Sequence, residues 1–300
     1  MPRCKGSEVL TDGFCLNEHT GYLEIPVSRV AEGVAYAEQR GFGRIRVMNP
    51  VGGDSCDHVA LDVSALAGQH FIEALDIGEG IHIKKTDFSP LYALKNLKML
   101  CMAYVKGVVD FCAMQGLETL YITGASAEME PLVLPKLKSL LLVSVKNTDC
   151  SFLSQLAGLE DLRISGGRFV SLDGLAGLHK LTSLRLDHCP KLADVSAVNA
   201  VQGLSDLYVE KCKLLHDFSF LAGHEGIESL FVSELDSVAF VAAMPRLRAL
   251  HFWNVKDGDL SSLGDSVSLE EVAFFPQKRH YSHTQEQVNA WLEERKHGRG

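Results

Sequence analysis

The chain carries a repeated spacing of apolar residues in which positions i, i+3 and i+5 are occupied together. Successive triplets begin 20 to 30 residues apart over most of the sequence. Alternation within a triplet is typical of a half-buried β-strand, and a sustained period of this length indicates an array of structural repeats. The eleven triplets are Phe42-Ile45-Val47, Ile72-Leu75-Ile77, Leu97-Leu100-Met102, Leu117-Leu120-Ile122, Leu137-Leu140-Leu142, Leu159-Leu162-Ile164, Leu181-Leu184-Leu186, Leu204-Leu207-Val209, Ile227-Leu230-Val232, Leu247-Leu250-Phe252 and Leu269-Val272-Phe274.

A second pattern, Asp-x-Ser-x-apolar, recurs in the stretches between the triplets. Serine can accept hydrogen bonds from free amides at the start of a short helix, while the apolar neighbours point into a core. Each repeat is therefore predicted to contain a strand, a turn, a short 3₁₀ or α-helical turn and a return. The pattern occurs at Asp62–Leu66, Asp87–Leu91, Asp149–Leu153, Asp194–Val198, Asp217–Leu221 and Asp259–Leu263.

Together these patterns resemble the leucine-rich repeats, whose strand motif LxxLxL recurs about every 20 to 29 residues. The resemblance covers residues 42–275, about three-quarters of the chain, and the second half of the repeat is similar to the short, internalin-like bacterial type. It implies an α/β fold, a solenoid of about eleven repeats with a parallel β-sheet on its concave face. Where the family usually has Asn, this chain has Cys189 and Cys212 in two repeats and apolar residues or glycine in others. We therefore expect apolar packing, rather than a continuous polar ladder, to hold the repeats together.

Both ends of a repeat array need covering, since one repeat cannot bury its own apolar face. Before the first triplet, Ser28 precedes an amphipathic stretch that closes at Gly41, which predicts a helix capped by Ser28. After the last triplet, Thr284–Gln287 is a capping box that predicts a second helix. The expected organisation is an N-terminal segment and cap helix over 1–41, repeats over 42–275, and a C-terminal loop and cap helix over 276–300.

Side chains alternate along a strand. Counted from the first residue of each triplet as position one, the fifth and seventh positions of each repeat are therefore predicted to face solvent on the concave side. From the sixth triplet onward these positions carry arginine, aromatic and acidic residues, the types that dominate binding energy at protein interfaces. Two plainer readings stay open: the C-terminal helix covers Trp253 and Phe275, or the charged residues only pair with each other. The candidate partner-binding residues are Arg163, Arg185, Asp187, Tyr208, Glu210, Phe231, His251 and Trp253.

Charge and composition indicate which classes of binding partner to expect. Twenty-nine basic and 38 acidic residues give a net charge of −9, which disfavours nucleic acid and anionic membranes and favours a basic or mixed-charge protein. The eight cysteines form no CxxC pair and most lie in apolar stretches, as expected of free thiols in a reducing compartment. The N-terminus continues into polar residues and no apolar run is long enough for a membrane helix, so we expect a cytoplasmic protein. We also expect it to be a monomer.

Three other features of the sequence could in principle carry different chemistry. His224-Glu225 begins like HExxH, but position 228 is Glu. Five N-terminal residues, Cys4, Cys15, His19, Cys56 and His58, are a conceivable thiolate–imidazole or zinc site. The polar loop 278–283 is a conceivable acid–base or phosphate site, although a simple connector explains it as well.

The leading hypothesis is a non-enzymatic protein–protein interaction module without a cofactor or metal. The resemblance implies a bacterial adaptor, effector or toxin-neutralising role for a partner of unknown identity. The alternative is a metal-binding or hydrolytic protein that uses the N-terminal Cys/His residues or the 278–283 loop.

Overall fold

A computed structural model of the chain describes residues 7–10, 12–49, 61–78, 80–81, 83, 86–103 and 109–297. The chain divides into two compact units, Met1–Val145 and Lys146–Gly300. Each unit contains a β-sheet with short helical turns between its strands. Across the described ranges, no helix has the length and apolar character needed to cross a membrane.

The first unit begins with antiparallel strands and continues with parallel ones. Strands β1 and β2, and then β2 and β3, pair antiparallel, whereas β3 and every later strand of the unit pair parallel. The strands are β1 (Ser7–Val9), β2 (Cys15–Asn17), β3 (Tyr22–Pro26), β4 (Arg44–Met48), β5 (Ala74–Ile77), β6 (Met99–Ala103), β7 (Thr119–Thr123) and β8 (Ser139–Val143). Its α-helices are α1 (Val30–Arg40) and α2 (Ser89–Tyr92), and 3₁₀ helices span Val27–Arg29, Ser64–Leu66 and Phe111–Ala113.

The second unit has parallel strands that pair in sequence order. They are β9 (Asp161–Ser165), β10 (Ser183–Asp187), β11 (Asp206–Glu210), β12 (Ser229–Leu235), β13 (Ala249–Val255) and β14 (Glu271–Phe274). The 3₁₀ helices Ser151–Leu153, Leu175–Gly177, Ser196–Ala200, Ser219–Leu221, Ala239–Ala243 and Ser261–Asp265 lie in the segments outside the strands. Helix α3 (Gln285–His297) follows β14.

The apolar triplets form the core, as the sequence predicts. In the second unit Leu162, Leu184 and Leu207 occupy one row of the sheet, because Leu184 is in register with both of the others. Their side chains are 0%, 0% and 1% exposed. Residues two positions apart on a strand share a face, so the third residue of each triplet is buried beside the second. The predicted leucine-rich-repeat architecture with a parallel sheet is therefore confirmed.

The Asp-x-Ser turns form as predicted, but the acceptor is the aspartate and not the serine. In each of the six, the serine backbone N–H donates to the Asp Oδ1 at 2.8–2.9 Å. The Ser89 and Ser261 hydroxyls also donate to their aspartates. An aspartate two residues upstream reaches this amide in an Asx turn, so it takes the role that we assigned to serine. These serine hydrogen bonds lower the pKa of Asp62, Asp87, Asp194, Asp217 and Asp259.

The N-terminal helix differs from the prediction in two respects. The residue at its N-cap is Arg29, which makes no side-chain capping hydrogen bond, so Ser28 is not the cap. Helix α1 connects the parallel strands β3 and β4 and therefore lies within the array, with β1 and β2 beyond it at the sheet edge. At the other end of α1, Gly41 adopts φ 74° and closes the helix as expected.

Helix α3 packs on the last strand of the second unit. Thr284 N–H donates to Gln287 Oε1 at 2.8 Å and Gln287 N–H donates to Thr284 Oγ1 at 3.3 Å, so the predicted capping box is present. Val288 and Leu292 are fully buried. The side-chain amide of Asn289 pairs with both backbone groups of Val272, at 3.0 and 2.8 Å. The outer edge of β14 is therefore hydrogen-bonded to helix side chains.

Candidate functional site

Strand register in the second unit brings the fifth-position residues together in one row. Arg185 is opposite Arg163 on one side and Tyr208 on the other. Tyr208 is opposite Phe231, which is opposite His251. We call the surface formed by these five residues and the seventh-position residues Asp187, Glu210 and Trp253 the recognition face. It contains all eight residues proposed from the sequence.

Three aromatic rings on the recognition face contact one another in sequence. The Tyr208 and Phe231 rings stack with centroids 4.3 Å apart and planes 12° apart. Phe231 then meets Trp253 edge to face, at 5.4 Å and 82°. Trp253 is 36% exposed and Phe275 is 82% exposed. The reading in which helix α3 covers these two side chains is therefore wrong; the helix packs on β14 and the turn before it.

Asp187 is a buried carboxylate at the end of β10. It is 4% exposed and accepts hydrogen bonds from Arg163 Nε at 2.9 Å and from the Ser165 hydroxyl. His188 Nδ1 lies 3.5 Å away. Burial by itself would raise the pKa of Asp187, but the hydrogen bonds from Ser165 and Arg163 outweigh it and lower that pKa. This carboxylate is ionised and satisfied within the protein.

Glu210 is also satisfied internally. The Tyr208 hydroxyl donates to Glu210 Oε2 at 2.6 Å, and Lys211 Nζ lies 3.2 Å from Glu210 Oε1. The hydrogen bond from Tyr208 lowers the pKa of Glu210. Burial, together with the hydrogen bond to Glu210, raises the pKa of Tyr208 to about 12. The tyrosine therefore stays protonated at neutral pH, with its ring fixed between Arg185 and Phe231.

Arg185 differs from the other charged residues of the face. Its guanidinium carbon lies 4.6 Å from the centroid of the Tyr208 ring, in a cation–π arrangement. The side chain is exposed. Over the part of the chain that the structure describes, no carboxylate lies within ion-pair distance of it. The hypothesis that the charged residues of the face only pair with each other therefore holds for Arg163 and Asp187 but not for Arg185.

His251 lies at the far side of the face. Its Nε2 atom is 3.5 Å from Glu271 Oε1 on the next strand. A shallow cavity of about 230 Å³ opens beside it, lined by Phe231, Trp253 and Phe275 among others. The aromatic surface therefore continues from Tyr208 to the last strand of the sheet.

Two further residues, His188 and Lys211, border this site and were not among the candidates predicted from the sequence. His188 and Lys211 follow β10 and β11 with φ of 53° and 52°, the left-handed conformation that glycine adopts at the matching positions Gly124 and Gly166. A non-glycine residue held there costs about 1 kcal/mol or more, and such residues concentrate at functional sites. Ser144, directly after β8, has the same conformation with φ 54°, so the conformation alone does not mark a binding residue.

These two residues border a second cavity. It has a volume of about 360 Å³ and its lining includes His188, Lys211, Ser233, Glu234 and Trp253. Lys211 Nζ lies 5.7 Å from the Trp253 ring centroid. The indole of Trp253 therefore borders both cavities of the recognition face.

The described residues offer little support for the metal-binding or thiolate–imidazole sites considered from the sequence. Cys15 and His19 are placed, whereas Cys4, Cys56 and His58 lie outside the described residues. Within the described ranges, no group of three or more His, Cys, Asp or Glu side chains could hold a metal ion. His224 is buried, and its Nδ1 accepts from the amides of Gly226 and Ile227 at 3.1 and 3.2 Å.

The 278–283 loop makes structural contacts with the preceding repeat. Lys278 Nζ donates to Asn254 Oδ1 at 2.5 Å, and His280 Nε2 lies 3.0 Å from the Val255 carbonyl oxygen. Tyr281 is buried, and its hydroxyl accepts from the Val255 amide at 3.1 Å. His283 packs against Trp291 of α3. These contacts favour the connector interpretation of the loop.

In two repeats, a cysteine occupies the position where leucine-rich repeats usually have Asn. Cys189 Sγ lies 3.4 Å from the Gly166 carbonyl oxygen, and Cys212 Sγ lies 3.5 Å from that of Glu210. Both are buried and free of disulfides, and so is Cys150. Cys15, Cys101 and Cys112 are also free of disulfides but are only half-buried. The thiols thus supply weak hydrogen bonds in two adjacent repeats.

Solved structures with a similar fold are leucine-rich-repeat proteins. The internalin InlF of Listeria monocytogenes matches with a TM-score of 0.54 at 20% sequence identity, over 79% of this chain and 73% of that chain. Internalin C2 of the same species matches with a TM-score of 0.44 at 18% identity, over 62% of this chain and 83% of that chain. A leucine-rich-repeat protein of Leptospira interrogans matches with a TM-score of 0.42 at 13% identity, over 90% and 86%. No protein-family model and no curated protein sequence matches. The likeness to InlF shows that the fold is the leucine-rich-repeat fold of the internalin type.

Proposed function

We propose that the chain is a non-enzymatic protein-interaction module that binds a partner protein through the recognition face. The observation that carries this proposal is the contacting series Tyr208–Phe231–Trp253, which ends in a solvent-exposed indole. Tyrosine, tryptophan and arginine supply most of the binding energy at protein interfaces. Here they occur together on one sheet.

The side chains of the face are held in place before any partner arrives. Tyr208 is fixed by Phe231 on one side, by Arg185 on the other and by Glu210 at its hydroxyl. Binding therefore immobilises few additional rotamers, which reduces the entropic cost of association. A face that is rigid in advance is suited to recognition.

Three biological roles are consistent with this binding activity. An adaptor, an effector and a toxin-neutralising protein all act by binding another protein, and the proposal covers these three. We further propose that the chain acts as a monomer in the cytoplasm. The buried free thiols of Cys150, Cys189 and Cys212 support a reducing compartment.

Affinity capture with matched variants tests the proposal. The wild-type chain, Trp253→Ala and a control, Val170→Ala, are immobilised and exposed to lysate of the source organism, and retained proteins are quantified by mass spectrometry. Val170 is also exposed, at 45%, but lies outside the recognition face. We expect at least one protein that the wild type and the control retain and that Trp253→Ala loses. Identical retention by all three would contradict the proposal, provided that circular dichroism shows all three folded.

A further inference from the structure

The acidic residues of the recognition face are already neutralised by contacts within the chain. Asp187 is bound by Arg163 and Ser165, and Glu210 by Tyr208 and Lys211. A partner cation would have to displace one of these contacts to reach either carboxylate. The face is therefore poorly suited to bind a basic group, despite the net charge of −9 over the whole chain.

The recognition face carries no net charge, in contrast to the net charge of −9 over the whole chain. Of its eight residues, Arg163 and Arg185 contribute two positive charges, and Asp187 and Glu210 contribute two negative charges, which leaves 2 − 2 = 0. Among the described residues, Arg185 has no carboxylate within ion-pair distance, and its guanidinium is exposed and held against the Tyr208 ring. A planar guanidinium fixed in this way is matched to a carboxylate, which it can bind through two parallel N–H···O hydrogen bonds.

An apolar site lies at a defined distance from this guanidinium. Trp253 is three strands from Arg185 and two residues further along the repeat. With strands ~4.8 Å apart and ~3.3 Å per residue, the separation is roughly 16 Å. An extended peptide covers this distance in about four to five residues.

We propose that the occupant of the recognition face is an extended peptide segment of a partner protein that carries an aspartate or glutamate side chain and a large apolar side chain about four to five residues apart. The carboxylate binds Arg185, and the apolar side chain packs against Trp253 and Phe231. This inference rests on the proposed function and specifies the chemistry of the partner. It replaces the basic or mixed-charge partner that net charge alone favours.

A library of random dodecapeptides displayed on phage, selected on the immobilised full-length chain, tests the inference. Peptides that are enriched are synthesised, and their dissociation constants are measured by fluorescence polarisation. The variants are Arg185→Gln, Trp253→Ala and a control, Arg248→Gln. Arg248 is an exposed arginine just before β13 that lies 3.8 Å from Glu270, outside the recognition face.

We expect the enriched peptides to share an acidic residue and a large apolar residue at the stated spacing. Because charged hydrogen bonds are strong, Arg185→Gln should weaken binding about 10- to 100-fold, and so should replacing the peptide's Asp by Asn or its Glu by Gln. The two changes together should cost little more than either one, since each removes the same contact. Arg248→Gln should leave the dissociation constant unchanged.

The outcomes separate this inference from the proposed function. If Trp253→Ala abolishes binding while Arg185→Gln and the amide peptides bind normally, the face binds a partner but its carboxylate specificity is wrong. If peptides bind Trp253→Ala and Arg185→Gln as tightly as the wild type, or if no peptide is enriched, both proposals fail. Circular dichroism of each variant excludes unfolding as the cause of lost binding.

Discussion

At the outer edge of β14, both backbone groups of Val272 are hydrogen-bonded to one side chain of helix α3, and replacing Asn289 with alanine tests how much this pairing stabilises the edge. Asn289 Oδ1 accepts from the Val272 amide at 3.0 Å, and its Nδ2 donates to the Val272 carbonyl at 2.8 Å. Val272 is 1% exposed, so water has poor access to its backbone groups. Alanine at position 289 would leave both groups without these partners.

The expected magnitude follows from these two hydrogen bonds. Each contributes about 0.5–1.5 kcal/mol net, so Asn289→Ala should destabilise the closed state of this edge by about 1–3 kcal/mol. Every 1.4 kcal/mol is a factor of ten in an equilibrium constant, so the Val272 amide should exchange with solvent about 5- to 150-fold faster. The neighbouring amide of Phe274 keeps its acceptor, Gln285 Oε1 at 2.7 Å, and should change less.

Amide hydrogen exchange measured by NMR provides the assay, with Glu294→Ala as the matched control. Glu294 is an exposed residue of the same helix, so its replacement leaves both Val272 contacts in place. Unchanged Val272 exchange in Asn289→Ala would refute the reasoning. Equal acceleration in Asn289→Ala and Glu294→Ala would refute it too, since a general loosening of the helix would then be the cause.

Two further predictions concern the core and its response to pH. Leu162→Ala, at a fully buried position of β9, should cost about 2–5 kcal/mol in urea denaturation. Tyr208→Ala on the opposite face loses the Phe231 ring contact, worth about 0.5–1.5 kcal/mol, and the hydrogen bond to Glu210. Both side chains are half-buried, so water can replace that hydrogen bond and the loss of stability should be smaller than for Leu162→Ala. Equal losses for the two variants would contradict the assignment of faces. Burial lowers the pKa of His224 below its ordinary value of 6.5. Protonation therefore favours the unfolded chain, so this contribution to stability is complete above pH 6.5 and is lost as the pH falls through the folded pKa. His224→Gln should show a smaller loss of stability between about pH 7.5 and pH 5 than the wild type, and an equal loss would contradict the prediction.

The repeat pattern predicted the architecture because the information is local and recurs many times. A leucine at i+3 and another apolar residue at i+5 must face the same side of a strand. The same geometry places Arg185, Tyr208 and Phe231 on the other side, and the structure has them in one row. Strand β3 escaped prediction, since its buried residues Leu23 and Ile25 have period-two spacing without the preceding apolar residue of the repeat.

Sequence by itself determined which residues are buried, which share a face and where the C-terminal helix begins, because each depends on spacing along a single strand or helical turn. The tertiary structure decided which charges on the face are neutralised. Asp187 is bound by Arg163 from the neighbouring strand, whereas Arg185 lies on the Tyr208 ring. Both arginines occupy the same position of their repeats, so the spacing treats them as equivalent. They differ because a side chain's partner is set by the residues on the adjacent strands, and those are more than 20 positions away in the chain.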